Sequence, residues 1–173
     1  MNFETSERSQ AFLQELKQFM AEHVYPAEQD ILTQNHQVNE SADWQNWKTI
    51  PTVEALKQKA KDANLWNLFL PDGQLAEGLT CLEYAPLAEE MGKVLFASEI
   101  FNCNAPDTGN MEVLYHFGSE QQKAKWLTPL LAGEIRSVFA MTEPDVASSD
   151  ATNMQATIQV DGDELVLNCK KWW

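Results

Sequence analysis

The sequence has 173 residues, of which 44% are hydrophobic and 22% are charged, and this composition is typical of a folded globular protein rather than a disordered one. Lys and Arg number 12 against 26 Asp and Glu, so the net charge is −14 and the mean field repels nucleic acid and anionic lipid. We therefore expect no nucleic-acid and no membrane partner. A phosphorylated cofactor would have to rely on local backbone donors and a few basic residues.

The cysteines, the histidines and the N-terminal segment bear on compartment and metal binding. Cys81, Cys103 and Cys169 form no close pair and show no metal-ligand spacing, which suits a reducing compartment. The histidines are scattered, so we expect no metal site. Residues 1–10 lack an apolar run and a basic bias, and no stretch has the apolar length to span a bilayer. A cytoplasmic protein is expected, or one of the mitochondrial matrix if the source is eukaryotic.

Apolar spacing predicts two helices in the first part of the chain. The first extends from residue 6 to about residue 29, and Pro26 bends or ends it. The stretch 32–49, rich in Asn, Gln and Asp, is predicted to be a long loop with room for a short helical turn. The second helix opens at Pro51, a residue suited to a first helical turn. The apolar run at 65–71 that follows is either a short extended segment or a buried connection.

Capping boxes and glycine stops predict the later helices. One helix opens at the capping box of Thr80 and Glu83 and ends at Gly92, and Pro86 inside it argues against an unbroken helix. The others are a short helix at 98–103, one capped by Thr108 that stops at Gly118, and one opened by the capping box of Ser119 and Gln122 that stops at Gly133. Five or six helices in the first 133 residues predict a helical bundle.

After Gly133 the hydrophobic period changes from helical to strand-like. Residues 137–141 are β-like, and residues 154–160 alternate strictly between apolar and polar. Residues 161–163 form a turn, and residues 165–167 begin the returning strand. The sequence therefore predicts a mainly α fold, in which a helical bundle is followed by an incomplete antiparallel β-domain.

The change of period places a domain boundary just after Gly133. It predicts an N-terminal helical domain at 1–134 and the truncated start of a β-domain at 135–173. One hairpin and one strand leave exposed sheet edges, and about three strands are needed for independent stability. Two tryptophans, Trp172 and Trp173, stand where the middle of a strand is expected.

The segment 138–150 joins an extended strand to a turn that is rich in hydroxyl and small side chains. A strand edge leaves backbone amides free for the heteroatoms of a flat ring, and a Ser-rich turn supplies donors for phosphate oxygens. The alternative is an ordinary loop with Asx and Ser turns, and the residue types alone favour that alternative.

The same segment resembles the Thr-Glu-Pro signature of the acyl-CoA dehydrogenase family, in which a strand leads into a small-residue turn that ends in Ser-Asp. Its turn, 145–150, is one residue longer than the common form and is similar to the subgroup with family members 10 and 11, which includes larger animal proteins fused to a kinase-like domain. Four further stretches agree with the family in their order: 89–92, 104–112, 117–134 and 161–172. The resemblance covers the chain from about Glu15 onward.

This resemblance implies an FAD-dependent enzyme that oxidises the Cα–Cβ bond of acyl-CoA thioesters. The cofactor-binding residues that it implies are Phe139, Ala140, Met141, Thr142, Ser148, Ser149 and Trp172. Thr142 and the backbone around Met141 would donate to the polar edge of the flavin ring, and Trp172 would pack against the ring. Ser148 and Ser149 would lie in the turn near the FAD pyrophosphate. Ser149 matches the serine that contacts acyl-CoA, and the extra residue leaves Ser148 as the alternative. Trp173 is interpreted as a core aromatic.

The glutamate that removes the α-proton in this family matches no residue of the sequence, and Glu143 is assigned to the turn. We therefore predict no catalytic residue here, and neither dehydrogenase activity nor tight FAD binding from this chain alone. An oxidase with the same flavin fold is the second reaction considered. A non-catalytic helical module, or half of a split enzyme that binds a partner chain, is the alternative from another class. The resemblance also implies homo-oligomers for full-length members.

Overall fold

The computed structural model describes residues 3–40, 43–71, 73 and 75–172. Contacts between Cα atoms divide the chain into two compact units, Met1–Ser137 and Val138–Trp173. The first unit is built from helices and the second carries a two-stranded antiparallel sheet, so the predicted mainly α class is confirmed. The domain boundary at residue 134 stays a prediction. Trp173 lies outside the described residues.

The first helical rod is longer than predicted. It consists of α1 at Glu7–Phe19, a wider π-type turn at Met20–Val24, and α2 at Tyr25–Val38. Pro26 lies in the first turn of α2, where a missing backbone N–H is tolerated, so it does not end the rod. The loop predicted from residue 32 was therefore wrong as far as Val38.

The other elements follow in chain order. They are α3 at Pro51–Asp62, α4 at Cys81–Met91, α5 at Ala97–Ile100, α6 at Asp107–Phe117, α7 at Glu120–Gln122, α8 at Thr128–Leu131, β1 at Thr157–Asp161 and β2 at Glu164–Asn168. A second π-type turn at Lys123–Leu127 joins α7 and α8, and 3₁₀ turns lie at Trp44–Asn46 and Ala151–Asn153. Over the part of the chain that the structure describes, no helix has the length and apolar character to cross a membrane.

The capping boxes are formed as the sequence predicts. The Thr80 hydroxyl oxygen accepts from the backbone N–H of Glu83, and the backbone N–H of Thr80 donates to the Glu83 carboxylate. α4 then continues through Pro86 without a break. Ser119 and Gln122 make the same reciprocal pair at the start of α7. These bonds satisfy N–H groups that the first turn of a helix leaves without partners.

One predicted helix start and one predicted strand are wrong. α6 begins at Asp107 rather than after Thr108, because Pro106 at the N-cap already has the backbone angle of a helix entry. Residues 137–141 form no strand, because the N–H of Met141 donates to the carbonyl of Phe139 at 2.9 Å and closes a tight turn.

The core of the first unit lies between the first rod, α3, α4 and α5. The large side chains that are fully buried are Leu16, Met20, Ile31, Leu65, Leu68, Leu70, Leu79, Leu87, Met91, Ile100, Phe101 and Met111. Three of them come from the run at 65–71, which is therefore a buried connection rather than an extended strand. Met111 belongs to a smaller cluster with Leu127 and Leu130 that packs α6 against α8.

A buried polar cluster ties the end of α8 to this core. The carbonyl of Leu131 accepts from Trp66 Nε1 at 2.8 Å and from Asn67 Nδ2 at 3.0 Å. Asn102 Nδ2 donates to Asn67 Oδ1 at 2.7 Å and to the carbonyl of Leu130 at 3.0 Å. Asn67 and Asn102 both have left-handed backbones, with φ of 57° and 52°, a conformation that Asn tolerates better than most residues. Carbonyls at the helix end thus find partners inside the protein.

The second unit contains the predicted hairpin. β1 and β2 pair from Thr157 opposite Asn168 to Asp161 opposite Glu164, which leaves Gly162 and Asp163 as a two-residue turn. Gly162 has φ of 61°, as such turns require. Cross-strand pairing places four apolar side chains on one face, all of them exposed: Ile158, Val160, Leu165 and Leu167.

Candidate functional site

The predicted cofactor residues lie in the second unit, on two stretches that are distant in sequence. The backbone N–H of Trp172 donates to the carbonyl of Thr142 at 3.2 Å. Beside it, Lys171 Nζ donates to the carbonyl of Met141 at 3.1 Å. The structure therefore brings Trp172 next to Met141 and Thr142.

Glu143 follows Thr142 and has a buried, fully engaged carboxylate. Its Oε2 accepts from the N–H of Gln155 at 2.7 Å, and its Oε1 accepts from the N–H of Ala156 and from Lys171 Nζ, both at 3.0 Å. The hydrogen bond from Gln155 and the ammonium of Lys171 hold the pKa of Glu143 below its ordinary value. This carboxylate is ionised at neutral pH and organises the turn.

The two serines of the turn have different environments. Ser148 is buried, and its hydroxyl accepts the N–H of Glu143 at 2.8 Å. Ser149 is exposed. The hydroxyl of Ser148 is therefore directed into the turn, whereas that of Ser149 is open to a ligand.

Asp150 closes the far end of the turn. Its Oδ1 accepts from the Thr152 hydroxyl at 2.7 Å and from the Thr152 N–H at 3.0 Å. These bonds lower the pKa of Asp150 and cap the 3₁₀ turn that starts at Ala151. The segment from Thr142 to Asp150 is thus fixed at both ends by side chains.

The residues predicted to meet the flavin ring supply flat apolar surface and some donors. Phe139, Ala140 and Trp172 are exposed, and Met141 and Thr142 are half-buried. The N–H of Met141 is already bound to Phe139. Among the described residues, neither the N–H nor the hydroxyl of Thr142 has a hydrogen-bond partner. These groups fit a flat heteroaromatic ring with a polar edge.

Positive charge is scarce around this segment. Lys170 and Lys171 are the cationic side chains of residues 138–172. Lys171 is paired with Glu143, and Lys170 lies 3.8 Å from Asp145. Phosphate oxygens would therefore meet backbone N–H groups and serine hydroxyls rather than a free cation. Over the described residues, no group of three or more His, Cys, Asp and Glu could hold a metal ion.

The bonds of Glu143 and Lys171 were not foreseen from the sequence. Both residues belong to stretches that resemble the family, but nothing in their spacing indicates that their side chains meet. An acidic residue that directly follows the predicted ring-binding Thr142, and a lysine that directly precedes the predicted ring-packing Trp172, are the only local hints.

Comparison with known proteins gives a consistent assignment. Residues 6–134 match the family model for the acyl-CoA dehydrogenase N-terminal domain. The chain is 54% identical to acyl-CoA dehydrogenase family member 11 of Gallus gallus over 171 residues, which are 99% of this chain and 21% of that protein. It is 54% identical to family member 10 of Mus musculus over 92% of this chain and 15% of that protein. It thus spans about a fifth or less of the length of these relatives.

A solved structure extends the comparison to the fold. A Mycobacterium abscessus protein assigned to the acyl-CoA dehydrogenases is 51% identical and superposes with a TM-score of 0.90. The match covers 98% of this chain and 42% of that one, and so includes the residues of the second unit.

Proposed function

The chain belongs to the acyl-CoA dehydrogenase family, and from this premise we propose that it supplies part of an FAD site in an enzyme that oxidises the Cα–Cβ bond of acyl-CoA thioesters. The observation that carries the proposal is the hydrogen bond from the backbone N–H of Trp172 to the carbonyl of Thr142. It unites residues that were predicted for the flavin ring but lie 30 positions apart (172 − 142). Lys171 strengthens the same junction through the carbonyl of Met141.

Each residue has a role that follows from its position. Thr142 would donate its N–H or hydroxyl to the polar edge of the ring, and Phe139, Ala140 and Met141 would line the ring beside it. Trp172 would cover a ring face through its exposed indole. FAD, when bound, supplies the hydride-accepting chemistry of the reaction.

The serine turn is proposed to hold the charged part of the ligands. Ser149 is favoured over Ser148 as the acyl-CoA contact, because Ser149 is exposed whereas Ser148 is buried and its oxygen accepts the N–H of Glu143. Ser148 would act near the FAD pyrophosphate by shaping the turn. The net charge of −14 opposes phosphate binding, so this part of the site depends on neutral donors.

Because tight FAD binding is not expected of this chain alone, titration of the 173-residue chain with FAD at concentrations high enough to detect weak binding tests the proposal. FAD should quench tryptophan emission, and most of that quenching should disappear in Trp172→Phe, because Trp172 is the indole proposed to cover the ring. Trp126→Phe is the matched control, since Trp126 is a partly exposed indole in the helical unit. Equal quenching in wild type, Trp172→Phe and Trp126→Phe would contradict the proposal.

We propose further that this chain alone does not turn over acyl-CoA. Glu143 is the carboxylate of the signature, but it is bound by two backbone N–H groups and Lys171, and its lowered pKa makes it a poor base. No reduction of an artificial electron acceptor is expected with any acyl-CoA. Sustained reduction by the purified chain would refute this.

The exposed hairpin face favours a second candidate, a non-catalytic module that binds a partner chain. Ile158, Val160, Leu165 and Leu167 offer an apolar surface that strand or sheet packing could cover. Under this alternative FAD would not quench the indole of Trp172. The same titration therefore separates the two candidates.

A further inference from the structure

The carboxylate of Glu143 joins three stretches of the second unit. It lies in the turn that starts at Thr142, it accepts N–H groups from Gln155 and Ala156 at the approach to β1, and it pairs with Lys171 beside Trp172. We propose that Glu143 and Lys171 are positioning residues, which hold Thr142, Ser149 and Trp172 in the arrangement that receives FAD without touching the cofactor. This inference rests on the proposed function.

Burial makes the pair consequential. Glu143 is 6% exposed and the side chain of Lys171 is 20% exposed, so water can replace little of what either would lose. A shielded carboxylate needs hydrogen-bond donors at both oxygens, and here two backbone N–H groups and the lysine supply them. Neutralising Glu143 as Gln would direct an amide donor at an N–H or at the ammonium. The arrangement therefore depends on the charge as well as the shape of residue 143.

Glu143 and Lys171 also make the hydrogen bonds that hold the predicted ring-binding stretch at Met141 and the serine turn after it. Lys171 donates to the carbonyl of Met141 as well as to Glu143. The N–H of Glu143 donates to the buried Ser148 hydroxyl, which leaves the adjacent Ser149 on the surface. Loss of the Lys171 side chain would leave the carbonyl of Met141 without this donor, and loss of the Glu143 carboxylate would loosen the turn. In either case the groups proposed to contact FAD would no longer keep their relative positions.

A neighbouring ion pair provides the matched control. Asp145 and Lys170 have the same charges and lie two residues and one residue away from the pair, but they are 3.8 Å apart with side chains 71% and 76% exposed. Exposed pairs of this kind contribute little. Asp145→Asn should therefore leave the turn and FAD binding unchanged.

The test compares Glu143→Gln, Lys171→Met, their double variant, Lys171→Arg and Asp145→Asn in the 173-residue chain. Amide hydrogen exchange at Gln155 and Ala156 measures the contact itself, and amide shifts of Thr142 and Ser149 during FAD titration measure cofactor affinity. Glu143→Gln and Lys171→Met should each raise the Kd for FAD about tenfold. The double variant should lose less affinity than the two single losses added together, because both substitutions remove the shared Glu143–Lys171 contact. Lys171→Arg should restore most of the affinity.

The outcomes separate this inference from the function on which it rests. If the wild type shows protected Gln155 and Ala156 amides but no FAD-dependent shift even at FAD concentrations that would reveal weak binding, the proposed function fails, and the positioning role toward FAD fails with it. If FAD binds and Glu143→Gln and Lys171→Met both bind as tightly as the wild type, only the positioning role is overturned. Lys171→Met removes one of three donors to Glu143, so it tests the role even if Glu143→Gln unfolds the turn. If Asp145→Asn weakened FAD binding as much as Glu143→Gln and Lys171→Met do, the positioning role would also be overturned.

Discussion

Replacing Asp107 by Ala is expected to lower the free energy of unfolding by about 3 kcal/mol, because a buried carboxylate holds donors that would lose their acceptor. Asp107 is 1% exposed at the start of α6. Its Oδ1 accepts from the N–H of Ser137 at 2.7 Å and from the Ser137 hydroxyl at 2.5 Å, and its Oδ2 accepts from Arg136 Nε at 2.5 Å. Denaturant unfolding followed by circular dichroism measures the change.

Two further variants separate charge from packing. Asp107→Asn keeps the shape but turns an amide donor toward donors on Ser137 or Arg136, so it should lose most of the same stability. Asp62→Ala is the control, because Asp62 is an exposed carboxylate at the end of α3 that accepts one bond from Gln58 at 2.9 Å. It should change stability by less than about 0.5 kcal/mol. Similar losses at positions 62 and 107 would contradict a special role for Asp107.

Because Asp107 is ionisable, the difference in the free energy of unfolding between the wild type and Asp107→Ala should depend on pH. Burial alone would raise the pKa of Asp107, but hydrogen bonds from Ser137 and Arg136 outweigh burial and lower it. A carboxyl group with a lower pKa in the folded than in the unfolded state stabilises the protein above the unfolded pKa, and this contribution is lost as the pH falls through the folded pKa. The difference should therefore be constant near neutral pH and shrink below about pH 4.

Local signals predicted those helix starts whose partners are close in sequence. In both capping boxes the two side chains are three residues apart, so the sequence contains the whole interaction. The hairpin is similar, since alternation and Gly162 specify the strands and the turn together. Such elements form for reasons that a short window of sequence contains.

Distant contacts decided the elements that the sequence did not predict. The carboxylate oxygens of Asp107 at the start of α6 accept from donors 29 and 30 residues away, so the sequence around Asp107 does not reveal the contacts that hold this end of the helix. The first rod continues past Pro26 because a wider turn precedes it and Ile31 then packs into the core. Polar composition at 32–38 gave no sign of that anchor.

The residues of the candidate site stay a prediction from family resemblance, and the sequence did not predict the geometry that connects them. Resemblance to the family supplied positions along the chain, whereas the pairing of Glu143 with Lys171 spans 28 residues and required the fold. The roles of Ser148 and Ser149 were likewise open in the sequence. The structure distinguishes them physically, because only one hydroxyl is buried against the N–H of Glu143.

Replacing Phe101 by Ala is expected to cost about 4 kcal/mol of the free energy of unfolding, as large-to-small substitutions in a closed core do. Phe101 is fully buried just after α5, and its ring meets Phe19 of α1 edge to face with centroids 5.3 Å apart. Its carbonyl accepts from the N–H of Asn67 at 3.1 Å and from the Cys103 thiol at 3.3 Å. Denaturant unfolding measures the loss, and Leu95→Ala is the control because Leu95 is 94% exposed. The control should stay within about 0.5 kcal/mol of the wild type.

The position of Phe101 gives this substitution a second, local consequence. Asn102 follows it with a left-handed backbone and donates to Asn67 and to the carbonyl of Leu130 at the end of α8. A cavity at residue 101 would let this backbone relax, so hydrogen exchange at the N–H of Asn67 should accelerate in Phe101→Ala and not in Leu95→Ala. A loss of unfolding free energy below about 1 kcal/mol would mean that the core refills the vacated volume. Unchanged exchange at Asn67 would mean that the buried polar cluster does not depend on the ring of Phe101.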